Sequence, residues 1–143
     1  MPNKKIGFLI KQVFYLHEQH LNKQFSKFGL TASQTFTLIY LFKSHDKGIS
    51  VNQKDIEKEL DISNPTVTGI LNRLEVKGLI TRVPCRHDAR AKNIEVTEKA
   101  LELDKQLRIV FQQSDEKLVE SLSKEEIAVS YTHLRAHETE LHL

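Results

Sequence analysis

Two neighbouring stretches of the chain carry the side chains best suited to bind a polyanion. The first is Ser63-Asn64-Pro65-Thr66, which is followed by further short polar groups at Thr68 and Asn72. The second runs from residue 73 to 92 and holds six basic and two acidic residues, a net charge of +4 in a chain whose total is +2. The basic residues are Arg73, Lys77, Arg82, Arg86, Arg90 and Lys92. Because hydroxyls and amides bind base edges and phosphates, and cations neutralise phosphates, the pattern favours binding of duplex DNA.

Catalysis and metal binding have less support in the sequence. We find no nucleophile beside a base, no phosphate-binding loop and no cluster with metal-ligand spacing, so we predict no enzyme activity, no cofactor and no metal. His133 and His137 have the four-residue spacing of two ligands on one helix face, with His142 nearby. Cys85 precedes Arg86 and could sense oxidants, because a nearby arginine favours the thiolate. A metal sensor and an oxidant sensor therefore stay open as alternatives.

Length and composition limit the class of protein. At 143 residues, of which 39% are hydrophobic, the chain can form one compact domain with helical extensions. No apolar run approaches the roughly 18 residues of a membrane span, and the N-terminus lacks the features of a signal peptide. A single cysteine excludes an internal disulfide and is typical of a reducing compartment. We therefore expect a cytoplasmic protein with no membrane partner.

The first half of the chain predicts helices. Apolar residues recur at helical spacing from Ile6 to Phe28, and Gly29 ends that helix. Thr31-Ala32-Ser33-Gln34 is a capping-box pattern that begins a second helix. A short helix follows from a cap in the segment 50–53 to about Leu60, and Asp61-Ile62 makes a tight connection to the next helix.

The next segment predicts a helix and a hairpin. Ser63 can cap a helix that carries Pro65 in its first turn and ends at Gly78. Segments 79–83 and 93–96 have the character of paired strands, joined by the polar and basic loop 84–91. This order is a winged helix-turn-helix, in which the second helix can enter the major groove and the hairpin loop can reach the minor groove. Thr97 caps another long helix, and a capping box at 123–126 announces a last one.

Within this segment the chain resembles the MarR family of bacterial transcriptional regulators. The stretch NRLEVKGLITR at 72–82 matches the end of the family's recognition helix, and DARAKNIEVT at 88–97 matches its wing. Both motifs are present at the right separation, and the resemblance extends from about residue 4 to about residue 129. It implies a mainly α fold with a small β-hairpin wing, a winged helix-turn-helix flanked by N- and C-terminal dimerisation helices.

The resemblance also implies how the chain would work. The expected protein is a homodimer that binds a pseudo-palindromic DNA operator and represses transcription until a small molecule releases it. A protein-interaction module on the same scaffold is the alternative, which the basic wing disfavours. The implied domains are 1–30 for dimerisation, 31–97 for DNA binding and 98–129 for dimerisation.

The resemblance and the charge pattern together define candidate residues. In the wing, Arg90 is the candidate for the minor groove, and we expect Asp88 to hold the wing against Arg73. The predicted DNA contacts are Ser63, Asn64, Pro65, Thr66, Thr68, Asn72, Arg73, Arg86, Asp88, Arg90 and Lys92. A pocket for a small aromatic effector could be lined by Phe14, Tyr15, Phe36 and Tyr40, although each of these could instead be a core residue.

The end of the chain departs from the family pattern. After Val129 the family continues with an amphipathic helix, whereas this chain continues with the sequence SYTHLRAHET at 130–139 and has three of its seven histidines in its last fourteen residues. The segment 130–143 resembles a tail found on many unrelated hypothetical proteins and translated from sequencing-adapter DNA. We therefore expect residues 130–143 not to be native.

Overall fold

The computed structural model describes residues 2–88 and 90–120, which form five helices and one two-stranded hairpin. In chain order these are α1 (Pro2–Lys27), α2 (Ala32–Asp46), α3 (Gln53–Leu60), α4 (Asn64–Val76), β1 (Ile80–Pro84), β2 (Lys92–Val96) and α5 (Glu98–Glu120). The predicted mainly α class with a small hairpin is confirmed. In this part of the chain no helix combines the length and the apolar character that a membrane span needs.

The chain forms two compact units. In the described residues, the first consists of 2–24 and 109–120, and the second consists of 25–108. The first unit therefore contains most of α1 and the end of α5. Several of its large apolar side chains are exposed to solvent, among them Phe8, Phe14, Leu16 and Ile109. Among the described residues, these helices therefore carry exposed apolar surface.

The core of the second unit is built mainly from α2, α3, α4 and the hairpin. The apolar stripe of α4, which consists of Val67, Ile70, Leu71 and Leu74, is buried throughout. Ile56 supplies the buried side chain of the short helix α3, and Ile80 supplies that of β1. Because one face of α4 is packed against this core, its opposite face is held toward solvent.

The starts of α2 and α3 follow the predicted capping chemistry. The Thr31 hydroxyl accepts from the Gln34 backbone N–H at 3.2 Å, and the Gln34 side chain accepts from the Thr31 N–H at 3.3 Å. Helix α3 is capped by Asn52, which lies within the predicted capping segment 50–53. The preceding Val51 is buried, and its carbonyl accepts from the Ile94 N–H at 2.7 Å.

Two connections set the position of α4 between α3 and the hairpin. Asp61 ends α3 in the left-handed region, with φ of 52°, which aspartate tolerates better than most residues. Gly78 ends α4 at φ of 74°, so the chain can turn directly into β1. The strands β1 and β2 then pair antiparallel, with Ile80 opposite Val96 and Pro84 opposite Lys92.

Candidate nucleic-acid interface

The first turn of α4 presents a row of exposed polar groups. The Ser63 hydroxyl accepts from the Thr66 backbone N–H at 3.4 Å and forms a hydrogen bond with the Thr66 hydroxyl at 2.8 Å. Pro65 lies in the first turn, where a missing N–H costs nothing. Residues 63–66 are all exposed. The turn therefore combines exposed polar side chains with the positive end of the helix dipole, an arrangement that suits an anionic ligand.

Helix α3 braces this turn through two side chains that the sequence analysis did not identify. Gln53 donates through Nε2 to the Thr68 hydroxyl at 2.8 Å. Glu57 accepts through Oε2 from the Asn64 amide nitrogen at 3.3 Å. Gln53 and Glu57 lie one helical turn apart, so their spacing could have indicated that both face the same neighbour. Thr68, one of the predicted DNA contacts, is half-buried, and its hydroxyl accepts a hydrogen bond from within the protein.

The wing loop is organised around Asp88. Its carboxylate accepts from the Arg90 backbone N–H at 2.9 Å, and its carbonyl accepts from the Ala91 N–H at 3.2 Å. Ala91 in turn accepts from the Cys85 N–H at 2.8 Å, which closes the loop at the ends of the strands. The side chains of Arg86 and Arg90 remain exposed. The loop therefore holds two cations at its surface.

The expected ion pair between Asp88 and Arg73 is not formed. Among the ion pairs of residues 2–88 and 90–120, none joins these two side chains. The Asp88 carboxylate is already engaged in its own loop, and the Arg73 guanidinium lies over Gly69 of α4. Arg73 is exposed, as is Lys92 at the start of β2.

A different arginine connects the wing to α4. Arg82 of β1 donates through Nη2 to the Asn72 amide oxygen at 2.6 Å, and its Nε lies 3.5 Å from the Glu75 carboxylate. Asn72 is thus exposed, as a DNA contact requires, but its oxygen is engaged within the protein. Arg82 follows the buried Ile80 by two residues, so the period-two alternation of a strand could have indicated its inward orientation.

Not all of the positive charge between residues 73 and 92 is available to a ligand. Arg82 is paired with Glu75, and the Lys77 ammonium donates to the Gly29 carbonyl and to the Gln34 side chain. The four other cations of this stretch are exposed and take part in no ion pair among the described residues: Arg73, Arg86, Arg90 and Lys92. These four side chains are the ones that can neutralise phosphates.

The candidate effector residues are divided between the two units. Phe14 and Tyr15 are exposed on α1 in the first unit. In the second, Phe36 is 47% exposed and meets Phe25 edge-on, with ring centroids 6.2 Å apart. Tyr40 is half-buried, and burial together with the nearby carboxylates of α3 raises its pKa above the ordinary value for tyrosine.

The second unit contains a cavity of about 580 Å³. Neither Phe36 nor Tyr40, the two effector candidates of this unit, lines it. Phe28, Leu79 and Leu103 form much of its apolar wall, and Lys77 and Lys99 add amines. The amine of Lys99 donates to the Lys77 carbonyl at 2.7 Å, so this polar edge is internally bonded. The four predicted effector residues therefore stay a prediction.

The sensor alternatives also stay untested. The Cys85 thiol is half-buried and donates to the Asn93 side chain at 3.2 Å. His133, His137 and His142 lie outside the described residues, as do the predicted last helix and the tail 130–143. Within 2–88 and 90–120, no three histidine, cysteine or carboxylate side chains are grouped so that they could hold a metal ion.

Comparison with known proteins connects this geometry to a family. A model of the MarR family matches residues 28–91, which include α2, α3, α4 and most of the wing. The HTH-type transcriptional regulator PecS of Dickeya dadantii is 30% identical over 135 residues, covering 94% of this chain and 78% of PecS.

Solved structures agree with this assignment. MepR, a transcription regulator of the Staphylococcus aureus multidrug efflux pump MepA, has a TM-score of 0.80 at 29% identity, covering 94% of this chain and 97% of that one. The S. aureus MepR–DNA complex has a TM-score of 0.72 at 30% identity, covering 94% and 96%. MepR bound to ethidium bromide has a TM-score of 0.62 at 30% identity, covering 94% and 95%. The chain therefore belongs to the MarR family and is a DNA-binding transcriptional regulator.

Proposed function

We propose that this regulator is a bacterial, cytoplasmic repressor that binds a pseudo-palindromic operator as a homodimer and leaves it when a small aromatic molecule binds. The observation that carries the proposal is the pairing of an exposed polar first turn on α4 with an exposed basic wing loop in one compact unit. A helix and an arginine-bearing loop are suited to two different grooves of the same duplex.

In this proposal α4 enters the major groove through its first turn. Ser63 and Thr66 contact phosphates or base edges, and Asn64 is braced by Glu57 for a base contact. Arg90 enters the adjacent minor groove, where a narrow groove concentrates negative potential. Arg73, Arg86 and Lys92 neutralise neighbouring phosphates, while Asp88 shapes the loop.

The homodimer is supported by the apolar surface of the first unit. Phe8 is 70% exposed, Phe14 66% and Leu16 55%. Large apolar side chains that are exposed side by side favour burial against a second copy. A two-fold dimer presents two α4 helices, which must stand about 34–36 Å apart to bind half-sites one turn of DNA apart. Repression would then depend on a distance that a ligand can change.

The effector is proposed to be a small aromatic compound, and the candidate residues for its binding are Phe14 and Tyr15 in the first unit and Phe36 and Tyr40 in the second. Two observations support this class of ligand: the exposure of three of these rings and the MepR structure with ethidium bromide. A ligand that binds better to the conformation with the wrong spacing of α4 helices lowers DNA affinity without touching DNA.

Fluorescence anisotropy across a salt series tests the DNA function. The probe is the intergenic duplex beside the gene, and the control is a scrambled duplex of equal length. We expect tight binding to the intergenic duplex alone, with an affinity that rises steeply as salt falls. Equal and weak binding to both duplexes would favour the protein-interaction alternative.

The effector proposal is tested on the preformed complex. Ethidium bromide and a panel of small phenols are titrated into the complex with a labelled duplex, with a DNA-only titration to correct for intercalation. We expect at least one phenol to release the DNA from the wild type at a concentration that leaves Phe36→Ala bound. If every compound leaves the complex intact, the chain does not respond to this class of effector.

A further inference from the structure

Arg82 occupies a partly buried position between the wing and α4. It follows Ile80 on the same face of β1, and Ile80 is only 1% exposed. The Arg82 side chain is 21% exposed, and its Nε atom is shielded from solvent. Burying a guanidinium is costly unless it is paired with an opposite charge and hydrogen-bonded. Its partners here both come from α4. The Asn72 amide oxygen accepts from Nη2 at 2.6 Å, and the Glu75 carboxylate lies 3.5 Å from Nε as an ion-pair partner, while Nε itself makes no hydrogen bond.

This contact determines which end of the Asn72 amide faces solvent. A guanidinium has donors and no acceptor, so only the amide oxygen of Asn72 can bind Arg82. The amide nitrogen and its two N–H groups must then point away from Arg82. Asn72 lies one turn beyond Thr68, or about 6 Å further along the same face of α4. It is exposed there, on the side of the helix that continues from the predicted contacts.

We infer that Arg82 is a positioning residue for DNA recognition: it orients Asn72 so that the amide meets DNA as a hydrogen-bond donor. The inference rests on the proposed entry of α4 into the major groove. The acceptor on DNA is either a base edge, such as guanine O6, a purine N7 or thymine O4, or a phosphate oxygen. The amino group of cytosine, which only donates, is not a partner for Asn72 in this orientation.

The test begins with a duplex that carries a randomised segment, from which the full-length wild type selects its preferred sequence. Affinities for the selected duplex are then measured for the wild type, Asn72→Ala, Arg82→Met and the double variant. Arg82→Met keeps the length of the side chain and removes its donors. Arg108→Met is the matched control, because Arg108 is an exposed arginine of α5 that pairs with Asp46 and Asp104.

Asn72→Ala should weaken binding about fivefold, the size of one neutral hydrogen bond. In the Arg82→Met background the same change should have no further effect, because the amide is no longer oriented. Arg82→Lys keeps one donor and should restore the dependence on Asn72. Arg108→Met should match the wild type. A loss at particular base pairs identifies a base acceptor, and a uniform loss over all duplexes identifies a phosphate.

Equal costs of Asn72→Ala in the wild-type and Arg82→Met backgrounds would overturn the inference, since Arg82 would then contribute to structure alone. If thermal unfolding reveals that Arg82→Met does not fold, the affinity of Asn72→Asp is measured instead. This variant keeps the acceptor for Arg82 and removes the exposed donor. Asn72→Asp should bind at least as weakly as Asn72→Ala, and wild-type affinity would refute the inference. A wild type that selects no sequence would instead refute the proposed function, and this inference with it.

Discussion

At the scale of single residues, the wing loop separates two roles that the sequence joins in one motif. Asp88 accepts the Arg90 backbone N–H at 2.9 Å, so its carboxylate shapes the loop. The Arg90 side chain is exposed and takes no part in that bond. Loop conformation and charge can therefore be altered independently, by changing one residue or the other.

Arg90→Ala should leave the free energy of unfolding unchanged and weaken operator binding by about 1–3 kcal/mol, because a groove contact is lost while the backbone bond to Asp88 remains. Anisotropy with the operator measures the affinity, and urea unfolding measures the stability. Arg108→Ala removes an exposed arginine outside the wing and should retain wild-type affinity. Unchanged affinity in Arg90→Ala would remove Arg90 from the interface.

Asp88→Asn tests whether the wing loop needs the Asp88 side chain as a hydrogen-bond acceptor or as a negative charge. Asparagine keeps an acceptor for the Arg90 N–H and removes one negative charge from a loop near phosphates. We therefore expect the variant to bind DNA at least as tightly as the wild type, whereas Asp88→Ala should bind more weakly. An Asn variant as weak as the Ala variant would mean that the charge itself is needed, as in the expected pair with Arg73.

The exposed residues of this surface were easier to predict from the sequence than the residues that they contact. The polar turn from Ser63 to Thr66 and the wing arginines were identified from residue type and charge. The contacts of Gln53, Glu57 and Arg82 were not, because they connect different elements and depend on tertiary packing. Asp88 was assigned to Arg73 for the same reason: the competing bond within its own loop depends on backbone geometry.

At the scale of elements, the ends of α4 determine how it is presented. Its start is capped by Ser63, and its end is held by the Lys77 ammonium, which donates to the Gly29 carbonyl and to Gln34. Helix boundaries were predictable within a few residues from capping patterns and glycines. The sequence placed the cap of α3 only within the segment 50–53, and the structure identifies it as Asn52. The neighbouring bond between Val51 and Ile94 was not predictable, because it joins segments that are distant in sequence.

Lys77→Met should lower the free energy of unfolding by about 2 kcal/mol, because two acceptors lose a charged donor in a half-buried site. Urea unfolding at fixed protein concentration provides the measurement. The control is Lys105→Met, since the Lys105–Glu102 pair is exposed on both sides and should contribute less than about 0.5 kcal/mol. Equal effects of the two variants would mean that Lys77 does not hold the end of α4.

At the scale of the whole molecule, the two units differ in how completely one chain buries their apolar residues. The second unit has a continuous core, from Leu38 through Leu71 to Ile80. The first exposes Phe8, Phe14 and Leu16 on a single helix. Periodicity predicted that helix well, yet it could not reveal how much of its apolar face is exposed among the described residues, because burial depends on tertiary packing.

Phe8→Asp should therefore convert the proposed dimer into a monomer, because a charge would have to be buried where two apolar helix faces meet. Sedimentation equilibrium should give twice the chain mass of 16.5 kDa for the wild type and a single mass for the variant. A monomer has only one copy of the DNA-binding surface, so operator binding should also weaken by about 100-fold or more. Val76→Asp is the control, since Val76 is 88% exposed on α4 in the other unit and should leave the mass unchanged. A wild type that sediments as a monomer would contradict the dimer and would leave the apolar surface of α1 for a different partner.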